Sequence, residues 1–201
     1  MVLVKICGLT SYQEAIAATE AGADLIGFVF AQSKRQVTVE QVDQIQRQLP
    51  DHVKKVGVFV DTPIHIVNQI ARLVRLDYVQ LHGRESVSTC LKSEVPVIKA
   101  LSLQTADSLE QVLDYLPVVD YLILDGPKPG SGQTFDWRLI ESIPLARDKM
   151  ILAGGLTADN VDRAIQEASP IGVDVSSGVE TNGKKDLIKI KQFIQIAKGA
   201  R

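Results

Sequence analysis

The 201-residue sequence carries 22 Lys and Arg against 24 Asp and Glu, a net charge of −2, with 45% hydrophobic residues. That length fits one domain, taken here as 1–201, able to bury roughly 70% of its unfolded surface, and the charge balance argues against nucleic acid or an acidic membrane as partner. No apolar run approaches the roughly 20 residues that span a bilayer, and two cysteines, Cys7 and Cys90, exclude a disulfide scaffold and suit a reducing compartment.

In chain order, short β-branched runs alternate with longer stretches of helical period. The first expected strand, Leu3 to Cys7, begins too early to leave room for a signal peptide, so a cytoplasmic location is expected. Cys7 ends that strand, and Thr10 with Gln13 reads as a capping box. A strand from Leu25 to Phe30 leads to Gln32-Ser33-Lys34-Arg35-Gln36, where the planar guanidinium of Arg35 suits a carboxylate. Thr38 with Gln41 is a second capping box. A third strand, Lys55 to Val60, is followed by Thr62-Pro63, a cap before a proline at the first helical position. The fourth, Tyr78 to His82, closes on Gln80-Leu81-His82-Gly83, and Cys90 falls in the helix beyond it, where packing is the plainer role.

The fifth strand, Val97 to Leu101, carries Lys99 in its interior. The sixth, Tyr121 to Asp125, ends an apolar run on a carboxyl group; the loop Pro127-Lys128-Pro129-Gly130-Ser131-Gly132 is a candidate lid over it. The seventh, Met150 to Ala153, leads into Gly154-Gly155, with Thr157 as a cap for the next helix. The eighth, Gly172 to Val175, runs through Asp174 into Ser176-Ser177-Gly178. An amphipathic stretch from Leu187 to Ala197 closes the chain, with Gly199 able to stop it. About eight strand–helix units in a row favour a closed (β/α)8 barrel of α/β class over an open sheet.

On a barrel, function gathers on the loops that follow the strands. Gly154-Gly155 and Ser176-Ser177 are placed to bind phosphate through backbone N–H groups, since barrels most often hold phosphate after strands seven and eight. Asp125, partly desolvated, would favour its protonated form and suit a general acid. Cys7 can be a base, a nucleophile or a packed thiol. Lys5 and Lys99, inside strands, can be Schiff-base nucleophiles or the partners of carboxylates. The three histidines, His52, His65 and His82, form no cluster with metal-ligand spacing, so no metal is expected. His82 can contact a ligand or simply close a turn.

Taken together, seven segments resemble the phosphoribosylanthranilate isomerase family. They are Lys5-Ile6-Cys7-Gly8-Leu9-Thr10; Gly27 to Phe30 with Ser33-Lys34-Arg35; Gln80-Leu81-His82-Gly83; Leu124-Asp125; Gly130-Ser131-Gly132 with Phe135-Asp136-Trp137; Leu152 to Leu156 with Asn160-Val161; and Asp174 to Glu180. The resemblance spans the chain. It implies an Amadori rearrangement of N-(5'-phosphoribosyl)anthranilate to 1-(2-carboxyphenylamino)-1-deoxyribulose 5-phosphate in tryptophan biosynthesis, with Asp125 as general acid and Cys7 as general base. It also implies that Arg35 holds the anthranilate carboxylate with His82 and Asp174 nearby, and that Gly154, Gly155, Ser176 and Ser177 hold the phosphate. A monomer or homodimer acting on a small phosphorylated molecule without cofactor is expected. The rivals are a Schiff-base lyase using Lys5 or Lys99, a metal-dependent sugar-phosphate epimerase, and a non-catalytic phosphate-binding barrel.

Overall fold

The structure is a computed structural model and describes residues 2–102, 107–126, 137 and 148–200. Eight parallel strands close into a barrel in sequence order. They are β1 (Leu3–Cys7), β2 (Leu25–Val29), β3 (Lys54–Phe59), β4 (Tyr78–Leu81), β5 (Val97–Ser102), β6 (Tyr121–Asp125), β7 (Met150–Leu152) and β8 (Gly172–Val175). Between them run α1 (Tyr12–Glu20), α2 (Val39–Gln46), α3 (Ile64–Leu73), α4 (Val87–Cys90), α5 (Asp107–Tyr115) and α6 (Val161–Ala168); α7 (Leu187–Gly199) ends the described chain. The expected strands are all present, with ends displaced by a residue or so.

Closure is made by β1 and β8, which register Lys5 against Asp174 and Ile6 against Val175. Because side chains alternate along a strand, each strand splits into two sets. One set, with Leu25, Val56, Ile98, Ile123 and Ile151 at its centre, fills the barrel. The other, with Val4, Ile6, Ile26, Phe28, Leu122, Leu124 and Val173, packs against the helices. Burial on both faces explains why these strands read as continuous apolar runs. The inward set ends at the carboxyl rim in polar groups, and these make up the site.

Several caps differ from expectation. Thr38 and Gln41 do form the reciprocal capping box of α2. At α1 the cap is Ser11, not Thr10: its Oγ accepts from Glu14 N, and the Glu14 carboxylate accepts from Thr10 N at 2.6 Å. The acidic Glu14 suits the positive end of the helix better than Gln13 would. Pro63 stands at the cap of α3 itself, one place before the helix. Thr157 opens a turn ahead of α6, whose cap is Asn160. Gly199 belongs to α7, which ends on Ala200 in extended backbone.

Candidate active site

Cys7 and Asp125 are the last residues of β1 and β6, so both stand at the carboxyl rim, on strands well separated around the barrel. Each belongs to its strand's inward set and both are nearly buried, at 7% and 6% exposure. Room for the thiol comes from the neighbouring strand. A Cβ on Gly27, the residue paired with Cys7, would lie 2.9 Å from the Cys7 sulfur. Burial pushes the Cys7 thiol up, and the Lys5 ammonium opposes it.

Lys5 lies one inward position below Cys7 and is fully buried. Its Nζ donates to Asp174 Oδ1 at 2.8 Å. Burial alone would pull Lys5 down, but Asp174 and Cys7 together hold it above its ordinary value. It stays an ammonium, which disfavours it as a Schiff-base nucleophile. Lys99 belongs to the outward set of β5 and faces away from the site. Its ammonium donates to Glu85 at 2.9 Å and to the carbonyls of Leu81 and Gly83. The Glu85 carboxylate in turn accepts from Asp61 N and Gly83 N. This buried clamp shapes the loop after β4, which His82 opens.

Burial raises the Asp125 carboxyl to about 6, with Gly126 N, which donates to Oδ1 at 2.7 Å, holding it back. Burial likewise lowers His82 to about 4, so its imidazole is neutral at physiological pH. Gln80 donates its amide to His82 Nδ1 at 3.0 Å, which leaves the ring proton on Nε2. That Nε2 faces Asp125 Oδ2 at 3.8 Å. Since the imidazole is neutral, the contact is polar rather than ionic.

The loops after β7 and β8 close a cleft lined by Asp125, Gly154, Gly155, Asp174, Ser176 and Ser177. Gly154 makes this possible: its φ is +87°, and a Cβ there would lie 2.6 Å from Gly126 N. Asn160 fastens the first loop, donating to Gly155 O at 3.0 Å while accepting from Thr157 N at 2.9 Å. Ser176 also has a side-chain commitment. Its hydroxyl donates to Cys7 O at 3.0 Å, so it secures the strand bearing the thiol.

Arg35 crosses over Gly8, where a Cβ would meet its Cδ. Its Nε donates to Glu180 Oε1 at 2.5 Å, while its buried Nη2 has no protein partner among the described residues. Glu180 also takes Lys34 at 3.0 Å and Lys185 at 3.1 Å. Three cations on one carboxylate hold Glu180 down at about 2, against a burial effect that alone would raise it. These residues line a cavity of about 370 Å³ together with Gly8, Thr10 and Glu14.

The structure thus brings Cys7, Asp125, His82 and Asp174 to one rim, with the two glycine- and serine-bearing loops on one side and Arg35 reaching in over Gly8. Sequence reading missed Lys185 and the role of Gln80, and it left Glu180 without one. A signal for Lys185 was present. Asn182-Gly183, both at positive φ, is the turn of a hairpin pairing β9 (Glu180–Thr181) with β10 (Lys184–Lys185), and Asn-Gly is a strong short-range hairpin signal. The candidate lid at 127–132 lies outside the described residues. Among the described residues, no group of three His, Cys, Asp or Glu is placed to hold a metal ion.

The family model for N-(5'phosphoribosyl)anthranilate (PRA) isomerase matches residues 4–196. An N-(5'-phosphoribosyl)anthranilate isomerase of Listeria welshimeri is 48% identical, with 98% of each chain covered; that of Bacillus cereus is 45% identical over 97% of this chain and 98% of its own. The crystal structure of phosphoribosyl anthranilate isomerase from Thermotoga maritima superposes with a TM-score of 0.92 at 42% identity, covering 99% of this chain and all of that one. A further phosphoribosyl anthranilate isomerase structure, in complex with reduced 1-(o-carboxyphenylamino)-1-deoxyribulose 5-phosphate, superposes at 0.89 with 41% identity and covers 99% of this chain and 100% of its own.

Proposed function

The chain belongs to the N-(5'-phosphoribosyl)anthranilate isomerase family, and from that premise we propose that Asp125 and Cys7 carry its proton transfers as general acid and general base. The reaction it catalyses, in tryptophan biosynthesis, is the Amadori rearrangement of N-(5'-phosphoribosyl)anthranilate to 1-(2-carboxyphenylamino)-1-deoxyribulose 5-phosphate. The whole of 1–201 serves as one barrel domain.

Protonated Asp125 gives its proton to the ribose ring oxygen as the bond from that oxygen to C1' breaks. The anthranilate nitrogen supplies the electron pair, forming an iminium ion. Cys7, as thiolate, removes the proton on C2'. The C–H pair becomes the C1'–C2' double bond and the nitrogen regains its own pair, giving an enolamine. Tautomerisation moves the 2'-hydroxyl proton away and a proton onto C1', leaving the 2'-ketone. The iminium is the electron sink, so the chemistry calls for neither metal nor organic cofactor. Neutral His82, with its proton on Nε2, donates to an oxygen of the sugar, and Asp174 keeps Lys5 paired beneath. Arg35 offers Nη2 to the anthranilate carboxylate. The phosphate sits on the N–H groups of Gly154, Gly155, Ser176 and Ser177.

The observation that carries this reading is a buried carboxyl raised to about 6 on the same rim as a thiol that a lysine faces from below. No helix among the described residues is long and apolar enough to cross a membrane; we place the enzyme in the cytoplasm, acting on a small phosphorylated molecule as monomer or homodimer. The Thermotoga maritima enzyme is described as dimeric. Complementation of a tryptophan auxotroph blocked at this step tests the assignment. The wild-type chain restores growth, and Cys7→Ala and Asp125→Asn do not. Growth with either variant would overturn its role.

A further inference from the structure

We propose that Lys185 is a positioning residue for Cys7: its buried ammonium anchors Ser176 against the Cys7 carbonyl and, together with Lys5, supplies positive charge that favours the thiolate. The proposal rests on the reading of Cys7 as general base.

The Lys185 side chain is 2% exposed. Its Nζ donates to Ser176 O at 2.7 Å, Ser176 Oγ at 3.2 Å and Glu180 Oε1 at 3.1 Å. The Ser176 hydroxyl has its proton on the Cys7 carbonyl, at 3.0 Å, so toward Lys185 it can only accept. Three acceptors use all three protons of an ammonium, whereas a neutral amine has two. Although burial pulls Lys185 below the usual lysine value, Glu180 opposes that and the hydrogen bonding fits the charged form.

The charged and titratable groups facing Cys7 come from several elements. Lys5 on β1 and Asp174 on β8 form a closed ion pair whose effects on the thiol oppose one another, with Lys5 the stronger. Across the barrel His82 is neutral, and Asp125 must be protonated to act as acid. The loop after β2 brings Arg35, and the β9–β10 hairpin brings Glu180 and Lys185. Lys34 also touches Glu180 but is 57% exposed, so water screens it. Glu180 therefore offsets one of the two cations, half-buried Arg35 and buried Lys185, and leaves about one positive charge beside the thiol. When the substrate carboxylate takes Arg35, the remaining balance of that group rests on Lys185. In a desolvated pocket such a charge is felt far more than in water.

The position follows from the hairpin. Lys185 is the cross-strand partner of Glu180, so the Asn182-Gly183 turn sets which lysine faces inward. Lys184, its neighbour, points the other way and is exposed.

The test is a pH titration of the Cys7 thiol by ultraviolet thiolate absorbance in the Cys90→Ala background, where Cys7 is the sole thiol. Lys185→Met should raise the Cys7 midpoint by roughly one unit and Lys185→Arg should restore most of it. Glu180→Gln, which removes the offsetting anion, should lower the midpoint. Opposite shifts from two residues in one contact are the signature of charge, which a purely structural role would not give. An unchanged midpoint in Lys185→Met, or shifts of the same sign in both, would overturn the proposal. If Lys185→Met does not fold, Glu180→Gln decides alone: a fall supports the proposal and no change refutes it. Because the titration needs no turnover, it is separate from the role of Cys7 itself. A thiol that shifts as expected while Cys7→Ser retains activity would sink the base assignment and leave the electrostatic one standing.

Discussion

At the scale of single residues, the protonation states are set by burial and by few partners. On the proposed roles, Asp125 at about 6 and a Cys7 thiol above its ordinary value make the competent pair, acid protonated and thiol ionised, a minor form at neutral pH. The dependence of kcat/KM on pH should be a bell whose acidic limb, near 6, reports Asp125 and whose basic limb reports Cys7. Asp125→Asn should cost most of the activity and remove the break near 6, leaving a rate that rises with pH until Cys7 ionises. A break that persists near 6 would belong to the substrate phosphate instead. The same group has a stability signature. Its folded value is raised, so the stability it contributes is full below about 4 and is lost as pH rises through about 6. Asp125→Asn should therefore be more stable than wild type above pH 6, by up to about 3 kcal/mol; denaturant titrations at two pH values read this, and equal stability at both would contradict it. For Arg35, fixed by Glu180 with Nη2 to spare, Arg35→Met should raise KM on the order of tenfold to a hundredfold, with a smaller change in kcat. Unchanged kinetics would remove it from the anthranilate subsite.

At the scale of elements, the eight strands were legible because a sheet buried on both faces demands apolar runs of that length, and Cys7 and Asp125 stand out as polar ends to such runs. Helix starts were less legible. Thr10 and Ser11 are adjacent candidates, and only backbone geometry makes Ser11 the cap. Lys99 illustrates what alternation alone cannot decide. From sequence it shared the description of Lys5, yet it stands in the outward set and clamps Glu85, while Lys5 faces the site. The clamp carries its own prediction. Lys99→Met leaves the Glu85 carboxylate buried without its cation and should cost about 3 kcal/mol in denaturant unfolding; a cost near zero would mean that the Asp61 and Gly83 amides suffice. The β9–β10 hairpin gives no periodicity signal because four strand residues are too few, though its Asn182-Gly183 turn is readable.

At the scale of the whole molecule, a net charge of −2 hides a local imbalance. Arg35 and Lys185 meet at the rim over one Glu180, where a substrate bearing a carboxylate and a phosphate would dock. Composition averages this away, and only barrel closure brings positions 5, 7, 35, 125, 174, 180 and 185 together. Order along the chain nonetheless carried much of the site, since each strand end contributes one or two residues to one rim. What it could not carry was the side-chain commitments made after folding, such as Ser176 to Cys7 and Gln80 to His82. The central claim is that the Cys7 sulfur removes the C2' proton. The most direct measurement is the turnover of N-(5'-phosphoribosyl)anthranilate by Cys7→Ser beside wild type, with calorimetric binding of reduced 1-(o-carboxyphenylamino)-1-deoxyribulose 5-phosphate as the control for an intact pocket. The account predicts a rate lower on the order of a thousandfold with binding retained; a rate near that of wild type would contradict it.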